Sequence, residues 1–347
     1  MAGSIHRKQP QNRAPDIPGA AALGYEPWLA CGYRNVMHFS SALMKSPGQL
    51  WNQIRRDLGR GWAASYHDYR TLRRIEEWYW PLKGGDLAPV PVHIVAGSRD
   101  WRLAAWTLAS LFHCSERAWP VVVHNDGTLP EDGRAMLQRL FSECRVIGRE
   151  EADAQMKRTL RPYPYCDDFR QRGSRVSRVF ELAYFAAREC FVIVDPNVLF
   201  FSYPREIIEW IESPSKGECW FPKNPREGSL IDASEAFDEL EVKLWPQVGT
   251  GLGLITKTAI DFDFCDLVLA TTTLLEKDPL HAEQTLFALC ASRHGKGGLL
   301  PTSYEVSLRK HAAPDVVARH YLGAAEDLFY SEGLKRLCPE LLAVEEV

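Results

Sequence analysis

Three short apolar runs constrain the fold of this 347-residue chain more than any other feature: PVHIVAG at 91–97, WPVVVHND at 119–126 and FVIVDPNVLFF at 191–201. Each is rich in β-branched residues, and each stops at small or turn-forming residues, which is the signature of a buried strand. Helical text separates the runs. Asp100 stands where it can cap a helix carrying Leu103, Trp106, Leu108 and Leu111, and Pro130 can open another that continues to about Phe141. Strand, helix and strand in alternation imply a parallel sheet covered by helices, so the expected fold is an open α/β sheet.

Around this sheet the chain divides by texture. Residues 1–20 mix Pro, Gln, Asn, Arg and Gly without apolar periodicity, and read as a flexible tail. Residues 21–85 carry Trp and Arg at roughly helical spacing, as in YRTLRRIEEWYW, and read as a helical N-terminal extension without recognisable chemistry. The α/β domain occupies 86–347. Within it a helix is expected from about Ser174 to Glu189, further strands or turns at CWFP (219–222) and GTGLGLI (249–255), and a helix from Pro279 to about Ser292.

Charge narrows the function classes. Forty-one Lys and Arg against forty-five Asp and Glu give a net charge of -4, so no global basic field is present to hold a nucleic-acid backbone. Nine cysteines are scattered singly with no CxxC pair, which fits reduced thiols and not a zinc site. No secretory signal and no apolar run of membrane-spanning length occur, and the expected location is the cytoplasm.

The acid at the end of the third run carries the most chemistry. Ligands of open α/β sheets bind beyond the carboxyl ends of strands, and FVIV runs straight into Asp195, Pro196 and Asn197. In extended chain Asp195 and Asn197 point the same way, so two hard oxygens could meet a Mg2+ or Mn2+ ion shared with phosphates. The same tripeptide also suits a plain strand-ending turn, and the residues alone leave both readings open.

The order of motifs resembles the GT-A class of nucleotide-sugar glycosyltransferases, most nearly the glycogenin-like (family 8) retaining enzymes. The stretch SRVSRVFELAYFAARECFVIVDPNVLFFSYP resembles their helix, buried strand and Asp-x-Asp. GTGLGLI resembles their Gly-rich strand, HAEQTLFAL (281–289) their acid-Gln pair, and HYLG (320–323) their His-aromatic-x-Gly. The resemblance implies a GT-A-like, Rossmann-like sheet, a nucleoside-diphosphate sugar as donor, and a saccharide, lipid-linked or protein acceptor. It implies Mn2+ or Mg2+ held by Asp195, Asn197 and His320. Arg178, one turn from Arg175, would face the diphosphate, and Gly323 would stand beside the donor. Nucleotide contacts would come from the first strand end, Ala96 and Gly97 through Arg99. Glu283 with Gln284 would stand near the reacting sugar, supporting the cationic carbon or activating the acceptor.

Alternative readings of these residues are structural. Arg178 could form a surface i, i+3 pair with Glu181, Glu283 could complement a helix dipole, and Asp126-Gly127 could be only a turn. Two departures from the pattern stand out. Asn197 replaces the second acid, and no Lys-Pro-Trp follows HYLG, leaving Lys335 or Arg336 as displaced cations. The neutral Asn197 also admits a degenerate fold that binds without turnover. Walker NTPases, sugar-nucleotide-making nucleotidyltransferases and Rossmann dehydrogenases are disfavoured, because their Gly-rich loops are absent after the first strand.

Overall fold

The structure is a computed structural model that describes residues 62–78, 81–82, 85–173, 178–213, 217–225, 229–306 and 314–342. The tail at 1–20, the first part of the N-terminal extension and Arg175 lie outside the described residues. Within the extension, Trp62–Arg73 is an α-helix. Trp106 Nε1 donates to the Leu72 carbonyl at 2.9 Å, and Arg102 pairs with Glu76, so this helix is fixed to the sheet-covering helix Trp101–Ser115.

A mixed α/β fold is observed. In chain order the strands are β1 (Val92–Ala96), β2 (Val121–Asn125), β3 (Cys144–Ile147), β4 (Cys190–Val194), β5 (Val198–Phe200), β6 (Cys219–Phe221), β7 (Leu252–Thr256), β8 (Gly297–Leu299), β9 (Tyr304–Val306) and β10 (Ala318–His320). Seven of them form one mostly parallel sheet in the order β3-β2-β1-β4-β7-β6-β8, in which β7 alone runs against its neighbours. The others form a small sheet, β5-β10-β9.

Burial on both faces explains the unbroken apolar text of β4. Val192 and Val194 enter one core with the Trp101–Ser115 helix, while Phe191 and Ile193 enter a second core with the helices Arg178–Phe185 and Pro279–His294. Removing a fully buried ring such as Phe191 would cost roughly 3–5 kcal/mol. The Pro279–His294 helix has its ends written in sequence. Asp278 accepts from the N–H groups of Leu280 and His281, Pro279 takes the first position, and Gly295 ends the helix in the left-handed region at φ 73°.

Several expectations are corrected. The run 191–201 is two strands in different sheets, because Pro196 fixes its φ and brings no N–H to a ladder, and the Val198 N–H closes a turn on the Asp195 carbonyl at 3.2 Å. The helix expected over 174–189 is described as Arg178–Phe185. Asp100 does not cap with its side chain; its carboxylate accepts from Gly97 N–H at 2.7 Å. The edge strand β3 was not expected, since CRVI is short and half polar. Asp126-Gly127, by contrast, is the turn that its sequence favours, with the Thr128 N–H on the Asp126 carboxylate. Among the described residues no cysteine is in a disulfide, and no helix is long and apolar enough to cross a membrane.

Candidate functional site

A cleft of about 480 Å³ opens at the carboxyl ends of β1 and β4. Its floor is built where the two sheets meet. β4 ends in the large sheet, three residues turn, and β5 starts in the small one, paired antiparallel to β10 with Val198 opposite His320. That register brings His320 to the turn across 123 residues of sequence.

The turn is held from three sides. Thr107 Oγ1 donates to the Pro196 carbonyl at 2.7 Å, the Asp195 N–H donates to the Gly251 carbonyl at 2.7 Å, and the Tyr321 N–H donates to the Asn197 carbonyl at 3.0 Å. Asn197 Nδ2 donates to the Tyr321 carbonyl at 2.7 Å, which turns its Oδ1 toward His320 Nε2, 3.0 Å away. Asp195 Oδ2 lies 3.6 Å from the same nitrogen. A carboxylate oxygen, an amide oxygen and an imidazole nitrogen therefore face one another. Their meeting follows from the turn and the β5–β10 register, not from an extended segment.

Arg178 spans the next part of the floor. Its Nη1 pairs with Asp195, while Nε and Nη2 donate to the Glu283 carboxylate at 3.0 and 2.7 Å. Glu283 is buried, and burial, opposed by the Arg178 charge and hydrogen bond, pushes its carboxyl up to about 6. The surface pair of Arg178 with Glu181 does not form. Glu181 is buried and bound by Arg149 and Arg170 at 2.5 and 2.7 Å.

Glycine makes room for the imidazole. A Cβ on Gly251 would lie 2.1 Å from His320 Cε1 and 2.2 Å from Nδ1, so no larger residue fits there without moving the ring. Of the residues that support this geometry, Gly251 and Tyr321 fall within the GTGLGLI and HYLG motifs without a role being assigned to them, and Thr107 carries no signal in the sequence.

Arg178, Asp195, Asn197, Glu283, Gln284 and His320 all line the cleft. Others do not. Ala96 is wholly buried behind the rim, Gly97 packs against the Asp126 carboxylate, and Gly323 lies outside the lining although its neighbour Leu322 belongs to it. Arg336 is not a cleft cation: it stacks over Phe201 at 4.7 Å and reaches the Phe201 carbonyl, and Lys335 does not line the cleft either. Two further lining residues, Arg99 and Asn224, come from the first strand end and from the segment after β6.

Among the described residues no cluster of three or more His, Cys, Asp or Glu side chains is placed to hold a metal ion. A cation here would rest on Asp195 and His320 with the Asn197 amide as third donor. That donor set, a carboxylate oxygen and an amide oxygen within 3.6 and 3.0 Å of one imidazole nitrogen, is chemically suited to Mn2+ or Mg2+ that also takes ligands from a substrate.

No family model matches the chain, and no curated protein matches it. Among solved structures it is similar to mouse xyloside xylosyltransferase 1 in its apo form, at 11% identity over 68% of this chain and 97% of that one, with a TM-score of 0.46. It is also similar to the galactosyltransferase LgtC in complex with donor and acceptor sugar analogues, at 13% identity over 74% of this chain and 97% of that one, TM-score 0.45. A third is core-mannan synthase A of Aspergillus fumigatus in its Mn/GDP form, at 14% identity over 64% and 78%, TM-score 0.39.

Proposed function

We propose that this chain is a glycosyltransferase that moves a sugar from a nucleoside-diphosphate sugar to an acceptor hydroxyl. One observation carries the reading: Asp195, Asn197 and His320, from motifs more than 120 residues apart, converge at a sheet lip beside an Arg178–Glu283 pair. A strand-ending turn alone would not require the imidazole, nor a buried glutamate next to it.

Transfer requires the diphosphate to leave as an anion while the anomeric carbon gains positive charge. A divalent ion, when bound by Asp195, Asn197 and His320, supplies charge neutralisation at the leaving diphosphate. The chain's own residues supply the rest. Arg178 holds the Asp195 and Glu283 carboxylates in fixed positions, so neither must reorganise during the reaction. Glu283, with its carboxyl near 6, is ionised over most of the neutral range and can accept a hydrogen bond from a sugar or acceptor hydroxyl. Gln284, next to it in sequence, also lines the cleft.

A second reading has its own support. Asn197 is neutral and one Asp195 oxygen is taken by Arg178, so the cation site is weaker than one built from two acids. Such a site suits a protein that binds a sugar nucleotide without turnover. The assay is release of nucleoside diphosphate from a panel of sugar nucleotides with Mn2+ present. Release that Asp195→Ala stops supports the transferase; binding of donor with no release, with or without sugar acceptors, favours the binding protein.

A further inference from the structure

Resting on the sugar-nucleotide reading, we infer that Arg99 is the cation on which the donor's diphosphate docks. The argument is one of charge. Four carboxylates line the cleft, those of Asp100, Asp195, Glu283 and Glu326, against two guanidiniums, those of Arg99 and Arg178. Arg178 is largely buried and already shared between Asp195 and Glu283. The cleft wall is thus acidic, and a divalent ion at Asp195 would do little more than offset it, so a diphosphate entering the cleft still calls for an uncommitted side-chain cation facing it.

Arg99 meets that need. It is exposed, it lines the cleft, and it makes no hydrogen bond or ion pair with any described residue. Of the other basic side chains there, His281 is bonded to Asp278 at 2.9 Å and His320 to Asn197. The backbone beneath Arg99 is nevertheless anchored. Gly97 N–H is held by the Asp100 carboxylate at 2.7 Å, and Ser98 N–H by Thr128 Oγ1 at 2.9 Å.

Position agrees with charge. Arg99 follows β1, Asp195 follows β4, and these strands are parallel neighbours, spaced about 4.8 Å apart. A ligand anion beside Asp195 therefore lies within reach of a long side chain from the adjacent strand end. A planar guanidinium suits two oxygens of a diphosphate, which lysine would meet only as a point charge.

The experiment measures binding of UDP, GDP, ADP and CDP, and of the parent nucleosides, by calorimetry with Mn2+ present, for the wild-type chain, Arg99→Gln and Arg99→Lys. For whichever diphosphate the wild-type chain binds, Arg99→Gln weakens affinity at least about tenfold, Arg99→Lys weakens it less, and the nucleoside is unaffected. Because Arg99 has no partner among the described residues, melting of the unliganded protein stays unchanged. The inference is overturned if Arg99→Gln binds the diphosphate as the wild type does, or loses nucleoside and diphosphate by the same factor. If the wild-type chain binds none of the four diphosphates, the donor reading itself fails, and the inference with it.

Discussion

Replacing Gly251 by alanine tests whether the glycine exists to admit the His320 ring. The added Cβ would stand 2.1 Å from His320 Cε1, whereas ordinary contact begins near 3.4 Å, so ring or strand must shift by about 1.3 Å. Gly251 does not have a left-handed φ, so the effect is one of packing and not of backbone conformation. His320 is buried, and overpacking of this kind costs about 1–3 kcal/mol. Loss of the 3.0 Å contact with Asn197 adds about 1 kcal/mol. A displacement of that size would also lower donor turnover by about a hundredfold.

Urea unfolding of Gly251→Ala, His320→Ala and the double variant reads the clash directly. In the double variant the alanine methyl enters the space left by the ring, so it should be about 1–3 kcal/mol more stable than the two single effects summed. Mn2+ titration of Gly251→Ala should show at least tenfold weaker binding. Additive single effects, or wild-type Mn2+ affinity in Gly251→Ala, would refute the packing argument.

Three further outcomes follow from buried charge. His93 and His124 form a fully buried pair, Nδ1 to Nε2 at 3.0 Å, and burial holds His93 down at about 3 with His124 also well below its usual value. Their folded-state values lie below the unfolded one, so stability is complete above about pH 6.5 and falls as pH drops toward 3. His93 alone should remove about 2 kcal/mol between pH 6.5 and 5, and a His93→Leu/His124→Leu variant should show a flatter unfolding profile; equal slopes would contradict this. Donor hydrolysis should rise with pH through about 6 as Glu283 ionises, and Glu283→Gln should be on the order of a hundredfold slower and lack that limb. Wild-type rate and profile in that variant would exclude Glu283 from the chemistry. Arg319, fully buried with Glu332 at 2.7 Å and Glu305 at 3.6 Å, should destabilise the fold by about 3–5 kcal/mol when changed to Met, as judged by denaturant unfolding. A loss below 1 kcal/mol would mean that the carboxylates do not depend on it.

The parallel part of the sheet was legible because strands buried on both faces must be apolar throughout, as VHIVA, VVVHN and CFVIV are. The strand β3 was not, because CRVI at the sheet's edge carries an exposed arginine. The site was half legible. Asp195 could be placed at a strand end from local text, but the approach of His320 depends on a strand register that no periodicity encodes. The partners of Arg178 were equally hidden. Glu181 is near in sequence yet consumed by Arg149 and Arg170, whereas Glu283 is 105 residues away and takes the guanidinium. The two sheet histidines gave no signal either, since a histidine within an apolar run looks the same whether it is solvated or sealed.

The central claim is that the Asp195–Asn197 turn and His320 together grip a cation shared with a nucleoside diphosphate. Anomalous diffraction from a crystal grown with Mn2+ and the nucleoside diphosphate that binds tests it most directly. The account predicts a manganese peak within bonding distance of the Asp195 carboxylate, Asn197 Oδ1 and His320 Nε2, with phosphate oxygens completing the sphere. A diphosphate bound in the cleft with no manganese at that point, or manganese bound elsewhere, would contradict it.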